Sequence, residues 1–359
     1  MFKTLKDITV RIVAGANVAL AVLMVLSGHA DLLHPTSHPI LSCAGLAFPI
    51  LLLINLGFVF FWTVFRFRYL LIPVAGFAAS FGALRVYLPL SPQQDLPQGC
   101  IKVLSYNVQA FNGTDHAEEA RKEIIDYIRE CGADIVCLQE DSYPKQDGQA
   151  LMDGLYDYSD TLRMYSETLS NSIGIYSRYP ILKRERIVYP SRANGSMAYY
   201  LQIDGDTIIV INNHFESNHL TLTDRENYHE IIKGDVDKDT AKRQSRLLLD
   251  KISSASAIRA PQADSVARFI NHHRHYPIIV CGDFNDNPIS YTRRTVSCDL
   301  TDCYAATGRG PGFSFNQQAF YVRIDNILCS NHFTPYNCKV DNKIKASDHY
   351  PIFCWLKKR

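Results

Sequence analysis

Basic residues are not in excess in this sequence. Its 359 residues contain 37 Lys and Arg against 36 Asp and Glu. Residues 100–359 carry 31 basic against 33 acidic side chains, a net charge of about −2. Nonspecific nucleic-acid binders usually have a basic surface, because phosphate neutralisation supplies most of their affinity. The balance therefore argues against long duplex DNA as the substrate, unless a local basic patch is formed by Arg243, Arg246, Arg259 and Arg268.

A disulfide framework is also lacking. Of the ten cysteines, nine lie from Cys100 onward, an odd number without regular spacing. Several cysteines fall inside predicted strands, where a thiol packs as a small apolar group. Cys298 and Cys303 flank a short loop and are the candidates for a pair. This usage is typical of a reducing compartment. An apolar content of 47%, without repeats or low-complexity tracts, predicts a folded core.

Charged residues are nearly missing from three N-terminal stretches. Residues 12–26 are almost unbroken apolar sequence, residues 40–64 contain no charge, and residues 69–86 contain only Arg85. About 20 apolar residues span a bilayer as a helix. We therefore predict a transmembrane region over residues 1–87.

The predicted region is a bundle of about three transmembrane helices at about 10–29, 40–64 and 69–87. Two alternatives stay open. The first stretch has a basic start and small residues near Ala30, as a cleaved signal peptide would. The third stretch is the shortest and would also suit an interfacial helix.

The basic residues of this region predict its orientation. Three of them precede the first stretch and two, Arg66 and Arg68, separate the second from the third, whereas residues 28–39 contain none. Short basic loops stay cytoplasmic. An integral membrane protein with a cytoplasmic N-terminus is expected, with residues 100–359 on the non-cytoplasmic (periplasmic or extracellular) side. Residues 88–99 are polar and proline-rich, which favours a short extended linker.

Residues 100–359 alternate between strand and helix patterns. We predict strands at about 101–107, 134–139, 172–177, 199–204, 207–213, 277–282, 322–329 and 350–356. Helices are predicted at about 116–131, 240–254 and 262–274, the first with apolar residues on one face. This order predicts two packed sheets with outer helices. Residues 218–239 are polar and are expected to form a surface insertion.

Polar side chains end six of the apolar segments. They are Asn107, Glu140, His214, Asp283 with Asn285, Asp325, and Asp348 with His349. Phosphoester hydrolysis needs a cation on the phosphate, an activated water and donors for developing charge. A hard ion such as Mg²⁺ (or Mn²⁺) prefers oxygen ligands. Glu140 is the expected principal metal ligand, with Asn107 and Asp348 completing the set.

Asp283 and Asn285 lie two positions apart after an apolar strand. Residues i and i+2 of an extended segment point the same way. We expect Asp283 to orient or deprotonate the attacking water and Asn285 to donate to a phosphate oxygen. Gly282 would let the backbone approach the ligand closely.

In this order and context the six segments resemble the endonuclease/exonuclease/phosphatase superfamily, which includes DNase I-like and exonuclease III-like phosphoesterases. The resemblance covers about residues 100–356 and implies an α/β fold, a four-layer α/β/β/α sandwich. It implies that Asp325 and His349 form a pair whose histidine contacts the scissile phosphate. It also implies that His214 stabilises phosphate oxygens.

The expected function is a membrane-anchored, divalent-metal-dependent phosphoester hydrolase, with residues 100–359 as its catalytic domain. The alternative is a catalytically inactive relative that acts as a binding module. The substrate class stays open among nucleic acid, lipid head groups and small phosphoesters. Membrane contact is expected through the N-terminal helices, and nothing implies an obligate protein partner. The run His272–His275 is interpreted as a helix-to-strand connection.

Overall fold

The N-terminal region is helical. The computed structural model describes residues 2–112, 117–141, 154–165, 170–191, 193–317 and 320–359. The region contains helices α1 (Phe2–Gly28), α2 (Pro39–Ser42), α3 (Phe48–Phe65), α4 (Leu71–Ala79) and α5 (Phe81–Tyr87). Short 3-10 turns cover Ala30–Leu32, Cys43–Ala47 and Phe67–Leu70.

Two helical segments are long and apolar enough to cross a membrane, Asp7–Gly28 and Pro39–Phe65. They agree with the first two predicted spans. The third predicted span is not one straight helix, because the chain bends by 65° between Phe67–Ala79 and Phe81–Tyr87. Ser80 leaves the helical region there, with φ −97° and ψ 11°. A count of three spans holds only if this bent pair is one span.

The bent pair runs back along α3. At its start Tyr69 lies 5.0 Å from the Trp62 ring, and at its end Tyr87 lies 6.0 Å from the Phe48 ring, between centroids. Small residues bring the helices together, as in membrane bundles generally. A Cβ on Gly76, for example, would lie 3.1 Å from Ala21 Cβ.

Two six-stranded sheets form the C-terminal domain. The first sheet has the order β13-β14-β1-β2-β4-β3 and the second has the order β5-β6-β7-β8-β12-β9. A separate hairpin pairs β10 with β11. The strands are β1 (Ile101–Asn107), β2 (Ile135–Gln139), β3 (Tyr158–Tyr165), β4 (Ser170–Ser177), β5 (Ile181–Ile187), β6 (Gly195–Ile203), β7 (Asp206–His214), β8 (Ile278–Asp283), β9 (Thr301–Asp302), β10 (Phe315–Gln317), β11 (Phe320–Val322), β12 (Asp325–Cys329), β13 (Phe333–Val340) and β14 (Ile352–Lys358).

Helices accompany the strands of the C-terminal domain. They are α6 (Ala117–Cys131), α7 (Leu222–Lys233), α8 (Lys238–His272), α9 (Tyr291–Val296) and α10 (Cys303–Thr307), and a helical turn covers Gln109–Asn112.

Alternation along the strands creates three apolar layers. In β1, Val103 belongs to the core between the sheets, whereas Leu104 belongs to the core under α6. Val266 and Ile270 of α8 pack in the same way on the outer face of the second sheet. The order helix, sheet, sheet, helix confirms the predicted four-layer α/β/β/α sandwich.

Two helix predictions need correction. The segments 240–254 and 262–274 are one 35-residue helix, α8, with Pro261 inside it. A proline removes one helical hydrogen bond, but buried contacts hold the chain on both sides of it. Arg259 donates to the Glu216 carbonyl at 2.9 Å, and Gln262 donates to the Pro190 carbonyl at 3.1 Å.

The polar insertion also contains an unpredicted helix, α7. It begins at a capping box, in which Thr221 and Asp224 bond each other's backbone N–H groups, and it ends at Gly234 with φ 78°. The helix buries no residue, so it has no apolar periodicity by which it could be predicted. Its capping residues are the sequence signal that marks both of its ends.

The helical bundle packs directly on the C-terminal domain. Ile289 of the domain lies in one apolar cluster with Met24, Phe48 and Leu52 of the bundle. A Cβ on Gly45 would lie only 2.2 Å from the Ile289 carbonyl oxygen, so the two backbones meet there. The linker bonds to the domain as well, through Ser91 N–H to the Gly308 carbonyl at 3.1 Å.

All ten cysteines are free. Cys298 is exposed, whereas Cys303 is buried and its Sγ lies 3.7 Å from that of Cys329. The two candidates for a disulfide therefore do not pair.

Candidate active site

Strand pairing brings the polar strand ends to one edge of the sandwich. In the second sheet, Asp283 of β8 is the register partner of both His214 of β7 and Asp325 of β12. In the first sheet, Asn107 of β1 is the partner of Gln139, directly before Glu140. Five of the predicted residues thus meet because their strands end together.

Unusual backbone conformations aim several of these side chains. Glu140 and Asn285 adopt positive φ angles of 53° and 52°, which few non-glycine residues do. Gly282 has φ 135°, and a Cβ there would lie 2.0 Å from the Asn213 carbonyl oxygen. Gly282 thus lies closely against the neighbouring strand β7, whereas the expected close approach was to the ligand.

Asn107 links the two sheets at the site. Its Nδ2 group donates to Glu140 Oε1 and to Asp283 Oδ2, both at 3.1 Å. Its Oδ1 atom accepts from the Gln109 backbone N–H at 3.1 Å. To offer Oδ1 to a metal ion beside Glu140, the Asn107 side-chain amide would have to flip so that its oxygen and nitrogen exchange places. In the arrangement shown, Asn107 positions the two carboxylates.

The predicted pair of Asp325 and His349 is present. His349 Nδ1 lies 2.8 Å from Asp325 Oδ2, and both side chains are almost fully buried. His349 Nε2 points into the site, 3.7 Å from Asp283 Oδ2. A carboxylate on one imidazole nitrogen fixes the ring and its tautomer. Nε2 is consequently the nitrogen that faces the reaction space.

His214 is held by a residue that the sequence did not single out, Asn171. The Asn171 Nδ2 group lies 3.0 Å from His214 Nδ1, while Asn171 Oδ1 accepts from Ser172 N–H. With Nδ1 accepting, the ring proton is on Nε2, which lies 3.6 Å from Asp283 Oδ2. His214 thus presents an N–H donor.

Burial and neighbouring charges shift the pKa values of the two histidines in opposite directions. Burial lowers the pKa of His214. Burial also disfavours the charged form of His349, but the Asp325 and Asp283 carboxylates outweigh it and raise the pKa of His349 to about 10. Burial raises the pKa of Asp283 to about 6. Such divergent shifts within one cleft are typical of catalytic sites.

Asn285 is engaged within the protein. Its Nδ2 group donates to the Phe215 carbonyl at 3.0 Å and to Asp283 Oδ2 at 3.2 Å. Both amide hydrogens are used, so the geometry favours support of Asp283 over the expected contact with a phosphate oxygen. Asp348 lines the same cavity as Glu140 and His349.

The site contains a compact set of metal-binding groups. Ligand atoms of Asp283, Asp325 and His349 lie within 4.8 Å of one another. Because Asp325 Oδ2 and His349 Nδ1 already bond each other, we interpret this set as a hydrogen-bonded cluster rather than as the metal site itself. Glu140 and Asp348 supply carboxylate oxygens beside it, which suits a hard divalent ion. In the part of the chain that the structure describes, His272–His275 form no such group.

The four candidate arginines do not converge. Arg259 is fully buried and its Nε lies 3.4 Å from Asp286 Oδ2. Arg246 and Arg268 are exposed on the same helix, 22 positions and therefore about 33 Å apart along its axis. Arg259 lines the cavity but is engaged by Asp286 and by the Glu216 carbonyl. A second arginine also lines the cavity, Arg225, whose guanidinium lies 5.3 Å from the Phe315 ring centroid. Its position on the unpredicted helix α7 explains why sequence patterns missed it.

Comparison with known proteins supports the fold. The structure resembles the catalytic domain of human Nocturnin, with TM-score 0.53 and 16% identity over 75% of this chain and 97% of that one. It also resembles an endonuclease/exonuclease/phosphatase from Beutenbergia cavernae, with TM-score 0.51 and 16% identity over 72% of each chain. No curated protein sequence matches the chain.

Family profiles divide the chain in two. Residues 10–87 match a domain of unknown function. Residues 104–349 match the profile described as the Endonuclease/Exonuclease/phosphatase family, whose members are generally phosphoester hydrolases and commonly use divalent metals. This match covers most of the chain and contains every predicted site residue. The chain therefore belongs to the endonuclease/exonuclease/phosphatase family.

Proposed function

We propose that this chain is a membrane-anchored, divalent-metal-dependent phosphoester hydrolase. The observation that carries the proposal is the convergence on Asp283. Asn107 and Asn285 donate to this carboxylate, and the Nε2 atoms of His214 and His349 lie 3.6 and 3.7 Å from it. The two histidine separations are too long for hydrogen bonds. The Nε2 atoms of the two histidines and the Asp283 carboxylate therefore face a common space in which a substrate or water can bind between them.

Glu140 and Asp348 are the residues that would hold Mg²⁺ or Mn²⁺, with Asn107 joining them if its amide turns over. When bound, the ion supplies positive charge to the phosphate and favours ionisation of a water. The absence of cysteine from the site positions agrees with a hard ion rather than structural zinc.

The protein's own groups have separate tasks in this proposal. Asp283 accepts a hydrogen bond from the attacking water and orients it. His214 donates Nε2–H to a phosphate oxygen, because Asn171 holds its other nitrogen. His349 presents Nε2 to the scissile phosphate, with its ring held by Asp325. Asn285 keeps Asp283 in place.

The bundle has two different ends, which bears on its orientation. Arg66 pairs with Asp7 at 3.2 Å at one end. At the other end Asp31 pairs with Arg294 of the catalytic domain at 3.4 Å. The domain is thus on the side opposite Arg66 and Arg68. Because short basic loops stay cytoplasmic, the proposed location of the catalytic domain is the non-cytoplasmic face.

Hydrolysis of bis(p-nitrophenyl) phosphate by the purified full-length chain in detergent tests the activity. We expect Mg²⁺-dependent release of p-nitrophenolate that falls by about 10²-fold or more in Glu140→Gln. The matched control is Glu130→Gln, an exposed carboxamide substitution on α6. Turnover that is equal in both variants would reject the site, and no turnover in the wild type would favour the binding-module alternative.

A reporter fused after Arg359 tests the orientation. We expect alkaline phosphatase, which needs an oxidising compartment, to be active there and a cytoplasm-dependent fluorescent protein to be dark. The reverse pattern would place the catalytic domain in the cytoplasm, as the many free cysteines favour.

A further inference from the structure

The catalytic residues open into a cavity that the membrane helices help to form. The cavity has a volume of about 540 Å³, within the range of small-molecule sites. Glu140, Asp283 and His349 line one part of it, and Leu46 and Ile50 of the helical bundle line another. One continuous space therefore connects the phosphoester site with the apolar segment Pro39–Phe65.

The walls between these two parts are mainly apolar. Leu248, Leu249 and Ile252 contribute from α8, and Phe315 and Phe320 contribute from the β10–β11 hairpin. The hairpin is fixed by Tyr228 of α7, whose ring stacks on Phe320 with centroids 4.1 Å apart. A small polar phosphoester would leave such walls in contact with water. An alkyl chain would cover them, at a gain proportional to the apolar area buried.

The open part of the cavity lies where a bilayer would begin. Leu46 and Ile50 stand near the start of the long apolar segment, and Ile50 remains 62% exposed on the protein surface. Exposed apolar side chains continue from there along the segment, at Leu53 and Leu56. A lipid held in the bilayer beside α3 could thus enter the cavity without its chain crossing water.

A cation stands at the polar part of the cavity. Arg225 lies over Phe315, and the Phe315 ring lies 5.2 Å from the His349 ring. The Arg225 Nε atom is buried and has no hydrogen-bond partner among the described residues. Guanidinium groups suit phosphate recognition because their donors form a planar fork. Arg225 is thus available to an anionic group that enters next to His349.

We infer that the substrate is a bilayer lipid phosphoester, bound with its phosphate between Arg225 and Asp283 and its hydrocarbon chain along α8 toward α3. The inference rests on the proposed function and adds the substrate class. Hydrolysis joins the water oxygen to phosphorus, breaks one ester P–O bond and leaves the departing oxygen with a proton. The products are an alcohol and a phosphate with one ester bond fewer.

A series of alkyl p-nitrophenyl phosphates, from ethyl to dodecyl, tests this inference with the full-length chain in detergent. The wild-type kcat/KM is expected to rise by up to about fourfold for each added CH₂ until the cavity is filled. A charge on the wall should remove this dependence, so Leu249→Arg and Ile252→Arg are expected to give nearly flat series. Two wall variants are used so that the test remains possible if one of them does not fold.

Leu247→Arg is the matched control. Leu247 is the same residue type on the same helix, but it is 56% exposed and does not line the cavity. The Leu247→Arg variant should show the same increase of kcat/KM with chain length as the wild type. A flat wild-type series, or equal slopes in Leu249→Arg and Leu247→Arg, would overturn the lipid assignment, and so would preferred cleavage of long duplex DNA.

The two proposals fail in different ways. If ethyl p-nitrophenyl phosphate is hydrolysed with a Glu140-dependent rate but chain length has no effect, the phosphoesterase function stands and the lipid assignment is wrong. If no ester of the series is hydrolysed at any chain length in Mg²⁺ or Mn²⁺, the phosphoesterase function itself is wrong.

Discussion

The helical bundle and the catalytic domain each bury a cluster of polar side chains, and the two clusters are built differently. In the bundle, Trp62 Nε1 donates to Asn17 Oδ1 at 2.8 Å, and Asn17 Nδ2 donates to Asn55 Oδ1 at 3.2 Å. Asn55 Nδ2 donates in turn to the Leu51 carbonyl at 2.9 Å. These groups are neutral and bonded to each other. In the C-terminal domain, titratable groups face each other across gaps of 3.6 to 3.9 Å.

The difference separates a structural cluster from a reactive one. Buried neutral groups that satisfy one another hold helices in register, with no capacity left for a ligand. The titratable groups of the second cluster each have a supporting hydrogen bond, but the atoms that face one another stay beyond hydrogen-bond distance and keep capacity for a further partner. A phosphoester, a water and a cation would supply that partner. A change confined to one cluster should leave the other intact.

Removal of divalent metal should have the largest effect. We expect EDTA to abolish hydrolysis by the full-length chain and added Mg²⁺ or Mn²⁺ to restore it, because Glu140 and Asp348 cannot position a phosphate by themselves. Tryptophan fluorescence of a Trp355→Phe variant, which reports on Trp62 of the bundle alone, should not change. Hydrolysis at the full rate in excess chelator would contradict the metal assignment.

Loss of His349, the proposed catalytic histidine, comes next. His349→Ala should lower kcat by about 10²- to 10⁴-fold, the range for losing a positioned acid, base or charge-stabilising donor. Asp283→Asn should cost about 10²-fold or more. The melting temperature should change little. The matched control is the exposed His272→Ala on α8, which should keep wild-type turnover.

Truncation of the cation in the cavity should have an intermediate effect. Arg225→Leu removes a charge-assisted contact to phosphate, and such contacts contribute about 1.5–3 kcal/mol. We expect KM to rise by about tenfold or more for every alkyl ester, with the slope against chain length unchanged. An unchanged KM would show that Arg225 serves only to hold Phe315.

The smallest effect should come from the bundle. Asn17→Leu leaves Trp62 Nε1 without its acceptor, and interhelical hydrogen bonds in membranes contribute about 0.6–2 kcal/mol. We expect thermal stability in detergent to fall by this amount while kcat per folded molecule stays within about twofold. Thr63→Val is the control, since its hydroxyl is exposed and bonds only to the Val59 carbonyl of its own helix.

The catalytic domain was predictable from sequence where each signal was local. Polar residues such as Glu140 and His214 directly follow or end a buried strand, so they can be identified as soon as that strand is recognised in the sequence. The parallel and antiparallel pairing then brings the residues together. The gap predicted between residues 254 and 262 was wrong, because the chain stays helical there and tertiary contacts of Arg259 and Gln262 hold it on both sides of Pro261.

The parts that escaped prediction depend on contacts between distant segments. Nothing near Asn171 marks it as the partner of His214, and nothing near Arg225 shows that α7 carries it over Phe315. The internal bonding of Asn285 is likewise visible only once Phe215 stands beside it. The bend at Ser80 lies between Gly76 and Gly82, but glycine is frequent in membrane helices, so the apolar stretch did not show where it would bend.

The contact at Gly45 has a consequence for how such proteins are assembled and dissected. Because any side chain there would collide with the Ile289 backbone, the anchor and the enzyme cannot be exchanged as independent modules. A fragment that begins at Cys100 would lack Leu46 and Ile50, and with them part of the cavity. Substrate selectivity measured on that fragment would therefore describe a different binding cavity, even if its rate of bond cleavage were normal.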